Sequence, residues 1–186
     1  AADQFGNISQ LPQILGQFGI DNFIFGRGFK PQLTGKAPSE FRWVGADGSE
    51  LLAIHMKDWY NNLQRLPDDA QKAFTLVEEV GKNFEGVAVT PYILCMNGVD
   101  HLEAQEDLLN VLEKVNGKYG EKRVFQTSMA DYVDRVKTYI AENGISLYEH
   151  RGEMRQGGDN NVLQGTLSSR HYLKVSNVAA QTMLEN

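Results

Sequence analysis

The sequence predicts an α/β protein built on a mainly parallel sheet or barrel, and three observations predict it. Short apolar runs alternate with segments of helical period from about residue 11 to residue 140, the order that a parallel sheet covered by helices produces. An Asp47-Gly48 pair separates two strand-like runs, a strong hairpin signal. After Ile145 the alternation stops, and residues 150–166 are polar and rich in glycine. The 186 residues, 41% hydrophobic and 23% charged, suffice for a domain with a real core.

The elements follow in order. Ser9 reads as the cap of a first helix, with Pro12 in its first turn, an apolar face of Leu11, Ile14, Leu15 and Phe18, and Gly19 at its end. Phe23-Ile24-Phe25 is a short buried strand closed by Gly26-Arg27-Gly28. Phe41–Val44 and Leu51–His55 form the hairpin. A helix is expected from residue 67 to about 84, with the acids Asp68 and Asp69 at its start. Val87–Met96 reads as an apolar strand, Glu103–Val115 as a helix and Arg123–Gln126 as another short strand. Ser128-Met129-Ala130-Asp131 resembles a capping box, followed by a stripe of Tyr132, Val136, Tyr139 and Ile140. Ser169–Leu184 reads as a last helix, so a domain boundary is placed in the connection before it.

Other signals bound the function. A net charge of −6 gives no general attraction for nucleic acid, and no apolar run approaches the ~18 residues of a membrane span. The single cysteine, Cys95, excludes an internal disulfide, fits a reducing, cytoplasmic compartment, and reads as a small buried apolar residue. The chain begins at Ala1 inside what reads as a motif, so preceding polypeptide is expected.

In α/β sheets and barrels, function gathers at the carboxyl ends of strands. Three places qualify: Asp3 before the first helix, Arg27 after Phe23-Ile24-Phe25, and Asp100 with His101 after the long apolar run and the Asn97-Gly98 step. Two carboxylates on one rim are what glycoside hydrolysis needs, one to attack the anomeric carbon and one to protonate the leaving oxygen. By position alone each residue also has a plainer role: Asp3 and Asp100 as turn or helix-cap residues, Arg27 and His101 as loop residues. Trp43, Trp59 and Tyr60 read either as core or as sugar-stacking rings.

The run Asp3-Gln4-Phe5-Gly6-Asn7-Ile8-Ser9-Gln10-Leu11-Pro12 resembles the nucleophile segment of glycoside hydrolase family 38 α-mannosidases. Phe23–Gly28, with Arg27, is similar to the family's next strand, where an arginine contacts the active site. Glu40-Phe41-Arg42-Trp43-Val44-Gly45 through His55 resembles the hairpin after it, and Trp59-Tyr60 comes where the family has a sugar-pocket tyrosine. Met96-Asn97-Gly98-Val99-Asp100-His101 resembles the acid/base segment, with Val99 where animal members carry a first aspartate and Asp100 where they carry the second. Gly165-Thr166-Leu167-Ser168-Ser169-Arg170 with Tyr172-Leu173-Lys174 resembles the start of the family's helical domain.

The resemblance implies part of a seven-stranded β/α barrel over residues 1–150, then a connection and the first helix of a helical bundle over 151–186. It implies retaining hydrolysis of α-mannosides, with Asp3 as nucleophile and as a ligand of a catalytic zinc ion, Asp100 as acid/base, and Arg27 and Tyr60 as substrate-binding residues. The family's remaining zinc ligands, a His-x-Asp upstream and a histidine downstream, have no counterpart among His55, His101, His150 and His171. The rest of the same enzyme is therefore an expected partner, beside a mannose-containing substrate. Two rival readings are a carbohydrate-binding relative that uses the same rim without cleaving, and a nucleotide-binding α/β domain. The latter lacks both G-x-G-x-x-G and a P-loop lysine.

Overall fold

A computed structural model describes residues 2–31, 35–121, 123–157, 162–163 and 170–185. The expected family start of the helical domain at 165–169 lies outside the described residues, apart from Arg170. Four strands, β1 (Asn22–Phe25), β2 (Glu40–Val44), β3 (Glu50–His55) and β4 (Glu149–Arg151), form one sheet in the order β1-β3-β2-β4. Five helices accompany it: α1 (Leu11–Gln17), α2 (Ala70–Asn83), α3 (Leu108–Tyr119), α4 (Met129–Glu142) and α5 (His171–Glu185).

The sheet is mixed. β1 runs parallel to β3, with Phe25 opposite His55; β3 and β2 form the antiparallel hairpin; β2 runs parallel to β4, with Trp43 opposite His150. The hairpin turn works as its residues require: Gly48 sits at φ +88°, and Asp47 accepts from Ser49 N at 3.1 Å. One apolar cluster gathers Phe25, Phe29, Phe41, Trp43, Leu51 and Met154, with Leu11 and Leu15 of α1 packed against it. Another joins Ile54 to Tyr132, Val133 and Val136 of α4. The Trp43 indole is fully buried and donates to Gly152 O at 2.9 Å, so its polar atom is satisfied.

Several expectations are corrected. Ser9 does not cap α1; Gln10 stands at the cap, and its side chain makes no capping bond to the helix backbone. Phe18 is 77% exposed, so the α1 face narrows to Leu11 and Leu15. Residues 87–96 and 123–126 form no strand. The first segment is fastened at its ends: Ser39 N donates to Val87 O, and Leu63 N to Met96 O, both at 3.0 Å. In the second, Asn116 of α3 accepts from Arg123 N and Val124 N at 2.9 and 2.8 Å. An extended segment becomes a strand only beside a ladder partner, and among the described residues neither finds one.

α3 starts at Leu108, later than expected, because Gln105 bonds Leu66 O and Asp107 Oδ1, both at 2.8 Å, and holds the chain out of helix. β4 was hidden in the polar connection. Met154, 1% exposed, exchanges both backbone bonds with Asn7, so the chain stays on the sheet body past residue 150. Ser128 caps α4 as expected, accepting from Asp131 N at 3.1 Å, whereas α2 starts at Ala70 rather than at residue 67, with Asp69 at its cap accepting from Lys72 N at 2.8 Å. α5 forms where expected and none of its residues is buried. Among the described residues no helix is long and apolar enough to cross a membrane.

A cavity of about 460 Å³ opens between Pro91–Asn97 on one side and Arg123–Met129 on the other, with Val77, Val80, Leu112 and Tyr132 among its other walls. Asp3, Arg27, Tyr60 and Asp100 take no part in it.

Candidate active site

Because β1 and β3 are parallel, their carboxyl ends open on one rim, and Met56 N still donates to Phe25 O at 2.8 Å there. Arg27 leaves the sheet two residues beyond β1, and Trp59-Tyr60 leaves it four residues beyond β3. Asp3 arrives from the turn before α1, and Asp100 from the turn after residues 91–97.

Arg27 Nε donates to Asp3 Oδ1. The arginine side chain is only 15% exposed against 38% for the aspartate, so the carboxylate keeps open surface while the guanidinium is largely enclosed. That enclosure is aromatic: the guanidinium carbon lies 4.4 Å from the centre of the Trp59 ring and 5.1 Å from that of Phe5. These are cation–π distances, which compensate a partly desolvated cation. On the other side, the Tyr60 hydroxyl donates to Asp100 Oδ2 at 3.1 Å. Burial, that hydrogen bond and the negative charges of Asp3 and Asp100 push the Tyr60 phenol up, with Arg27 opposing. Tyr60 therefore stays a donor, and it feels both carboxylates.

All four residues singled out in the sequence, Asp3, Arg27, Tyr60 and Asp100, thus share one site. His101 shares the turn of Asp100, is exposed and has φ +63°. His55 is buried, its Nε2 3.3 Å from Gly26 O and its ring stacked on Phe25 at 5.2 Å. Sequence reasoning missed the part played by Trp59 and Gly26. Trp59 has φ +72°, and a Cβ on Gly26 would stand 2.9 Å from its Cζ3 and 2.5 Å from Ala2 O. No local pattern announces a tryptophan in a left-handed conformation; the one legible hint was a glycine directly before the arginine.

The donors among the described residues do not suit a complete zinc site. No group of three or more His, Cys, Asp or Glu able to hold a metal exists among the described residues, and a catalytic zinc needs about three protein ligands. Asp3 offers one carboxylate, and its Oδ1 already accepts from Arg27. His150 packs edge-on to Phe29 at 5.4 Å, where burial pulls its imidazole down.

Residues 1–153 match the family model of the glycosyl hydrolases family 38 N-terminal domain. The chain belongs to glycoside hydrolase family 38. It is 32% identical over 197 residues to a protein of Halalkalibacterium halodurans named as a mannosylglycerate hydrolase, covering 99% of this chain and 21% of that one. It also resembles the crystal structure of an α-mannosidase from Enterococcus faecalis V583, with a TM-score of 0.74 and 28% identity over 82% of this chain and 17% of that one. This family 38 chain thus spans about a fifth of the length of such relatives. Its four-stranded mixed α/β body is similar to the N-terminal domain of an α-mannosidase, and the described residues form neither a seven-stranded barrel nor a helical bundle.

Proposed function

We propose that the complete polypeptide hydrolyses α-mannosidic bonds with retention of configuration. Asp3 acts as nucleophile and Asp100 as acid/base. One observation carries the reading: in a family 38 chain, two carboxylates reach one rim, each held by its own partner, Arg27 for Asp3 and Tyr60 for Asp100. With Oδ1 of Asp3 fixed by Arg27, Oδ2 is the oxygen left to attack the anomeric carbon. Asp100 protonates the departing oxygen and then takes the proton of the incoming water, so the displacement proceeds in two steps through a covalent mannosyl-enzyme. Such a mechanism places the two carboxyl groups about 5–5.5 Å apart with substrate bound. Arg27 and Tyr60 also border the place where the sugar would sit.

Zinc belongs to this reading as an ion that takes at most Asp3 from the present chain, its other ligands coming from polypeptide outside it. A bound ion there would grip sugar hydroxyls; the steps above use only Asp3 and Asp100. The relative named as a mannosylglycerate hydrolase makes small anionic mannosides assay substrates beside mannose oligosaccharides.

Proton NMR of the sugar first released by the complete enzyme tests the proposal. α-Mannose appearing before mutarotation is expected. Initial β-mannose would overturn the two-step mechanism, and sugar binding without release would leave only a carbohydrate-binding relative.

A further inference from the structure

We propose that Trp59 is a positioning residue that holds the nucleophile and the acid/base in register, its ring serving as the spacer between the two arms of the site. The inference rests on the hydrolase reading above and adds a residue to it. One arm is Asp3 paired with Arg27, and the other is Asp100 paired with Tyr60. The Trp59 ring touches both partners: it lies 4.4 Å from the Arg27 guanidinium carbon and 4.7 Å from the Tyr60 ring, tilted by 40°. Each carboxylate is held by its own partner on the ring, so the effect passes through Arg27 and Tyr60.

Two features show that the ring is built into place. Its backbone has φ +72°, a conformation unfavourable for a bulky L-residue. Such a conformation persists where the surroundings fix it, here with Trp59 N donating to Met56 O at 2.9 Å. Gly26 lies against its benzo edge with no room for a Cβ, which would come within 2.9 Å of Cζ3. One face of the ring lies on a guanidinium that is itself 15% exposed, so that face is taken by Arg27.

Both chemical steps use the two carboxylates together, so an error in their spacing lowers turnover more than substrate affinity. The test is made on the complete enzyme with Trp59→Phe and Trp59→Leu, which fill similar space but differ in having an aromatic face. Thermal melting identifies any variant that fails to fold. Trp59→Phe should keep kcat within about threefold of wild type. Trp59→Leu should lose about 10²-fold in kcat on both an aryl mannoside and an unactivated mannoside, with KM changed less than about threefold. Equal kcat in the two variants overturns the inference, because the aromatic face then does nothing. A large rise in KM with kcat preserved overturns it in favour of a sugar platform. If Trp59→Leu does not fold, the Phe variant decides alone: a Trp59→Phe enzyme that folds but loses kcat as severely contradicts a role for the aromatic face. A wild-type enzyme inert toward every mannoside overturns the hydrolase reading and the inference together; an active wild type separates the two.

Discussion

The rim at the ends of β1 and β3 and the slot between residues 91–97 and 123–129 are made from similar apolar segments, yet one is complete and the other is open. β1 and β3 lie about thirty residues apart and pair directly, with the hairpin partner β2 arriving inside the same stretch. The two side chains that follow β1 and β3 onto the rim, Arg27 and Tyr60, each meet a carboxylate from another segment, Asp3 and Asp100. Residues 91–97 and 123–127 are extended too, but their bonds go to neighbouring loops and to Asn116, and about 460 Å³ remains between them. The comparison teaches that an apolar, β-prone run specifies a strand only when its neighbour lies within reach. The proposed reactive groups stand at the paired strand ends, outside this cavity.

The largest expected effect tests the finished region. In the complete enzyme, Asp3→Asn should cut turnover by at least about 10⁴-fold and lower zinc content by elemental analysis. Asp100→Ala should cost roughly 10²–10⁴-fold on an unactivated mannoside and far less for the first step on an activated aryl mannoside. A mannosyl-enzyme should then accumulate, and azide should restore turnover. If Asp100→Ala slows both substrates alike and azide does nothing, Asp100 only holds Tyr60 in place.

The next prediction tests the open region. Cys95 is exposed toward the slot and yet surrounded by apolar atoms, which push its thiol up to about 11. At pH 8 such a thiol is about 10²-fold less ionised than an ordinary one. A disulfide reagent should label native Cys95 correspondingly more slowly than the urea-unfolded enzyme. Equal rates would mean that water fills the slot.

The smallest effect concerns Glu40, 1% exposed, which joins the two regions by accepting from Val89 N at 2.8 Å, from Ser39 at 2.8 Å and from Tyr132 of α4 at 3.5 Å. Burial outweighs these bonds and holds its carboxyl above the ordinary value of 4.5. A raised native value means the folded chain binds the proton more tightly than the unfolded one, so this contribution is full below 4.5 and is lost as pH rises through the native value. Glu40→Gln stays neutral throughout. Its urea midpoint relative to wild type should therefore climb with pH above 4.5 and then level off; a difference independent of pH would show that Glu40 titrates normally.

What the sequence disclosed follows the reach of its signals. The Asp47-Gly48 hairpin, the Ser128 cap and the stripe of α4 are settled within a few residues, and all were legible. Asp3, Arg27, Tyr60 and Asp100 were named from family motifs; the parallel ladder of β1 and β3 brings Arg27 and Tyr60 to one rim, where Asp3 and Asp100 meet them from other segments. β4 was not, because its pairing joins Arg42 to Glu149 across more than a hundred residues, and its polar residues carry no alternating pattern. The segment 87–96 misled for the opposite reason: its apolar run is real, and its ladder partner is not among the described residues.

Gly26 has a consequence of another kind. A methyl at that position would meet the Trp59 ring on one side and the backbone carbonyl of Ala2 on the other. Making residue 59 smaller would relieve only the first clash, since the carbonyl at 2.5 Å belongs to the main chain. No single compensating substitution therefore opens this position. Over evolutionary time the segment before α1, the end of β1 and the turn after β3 must either change together or stay as they are, and a lineage that altered its pocket by small steps would have to do so somewhere else on the rim.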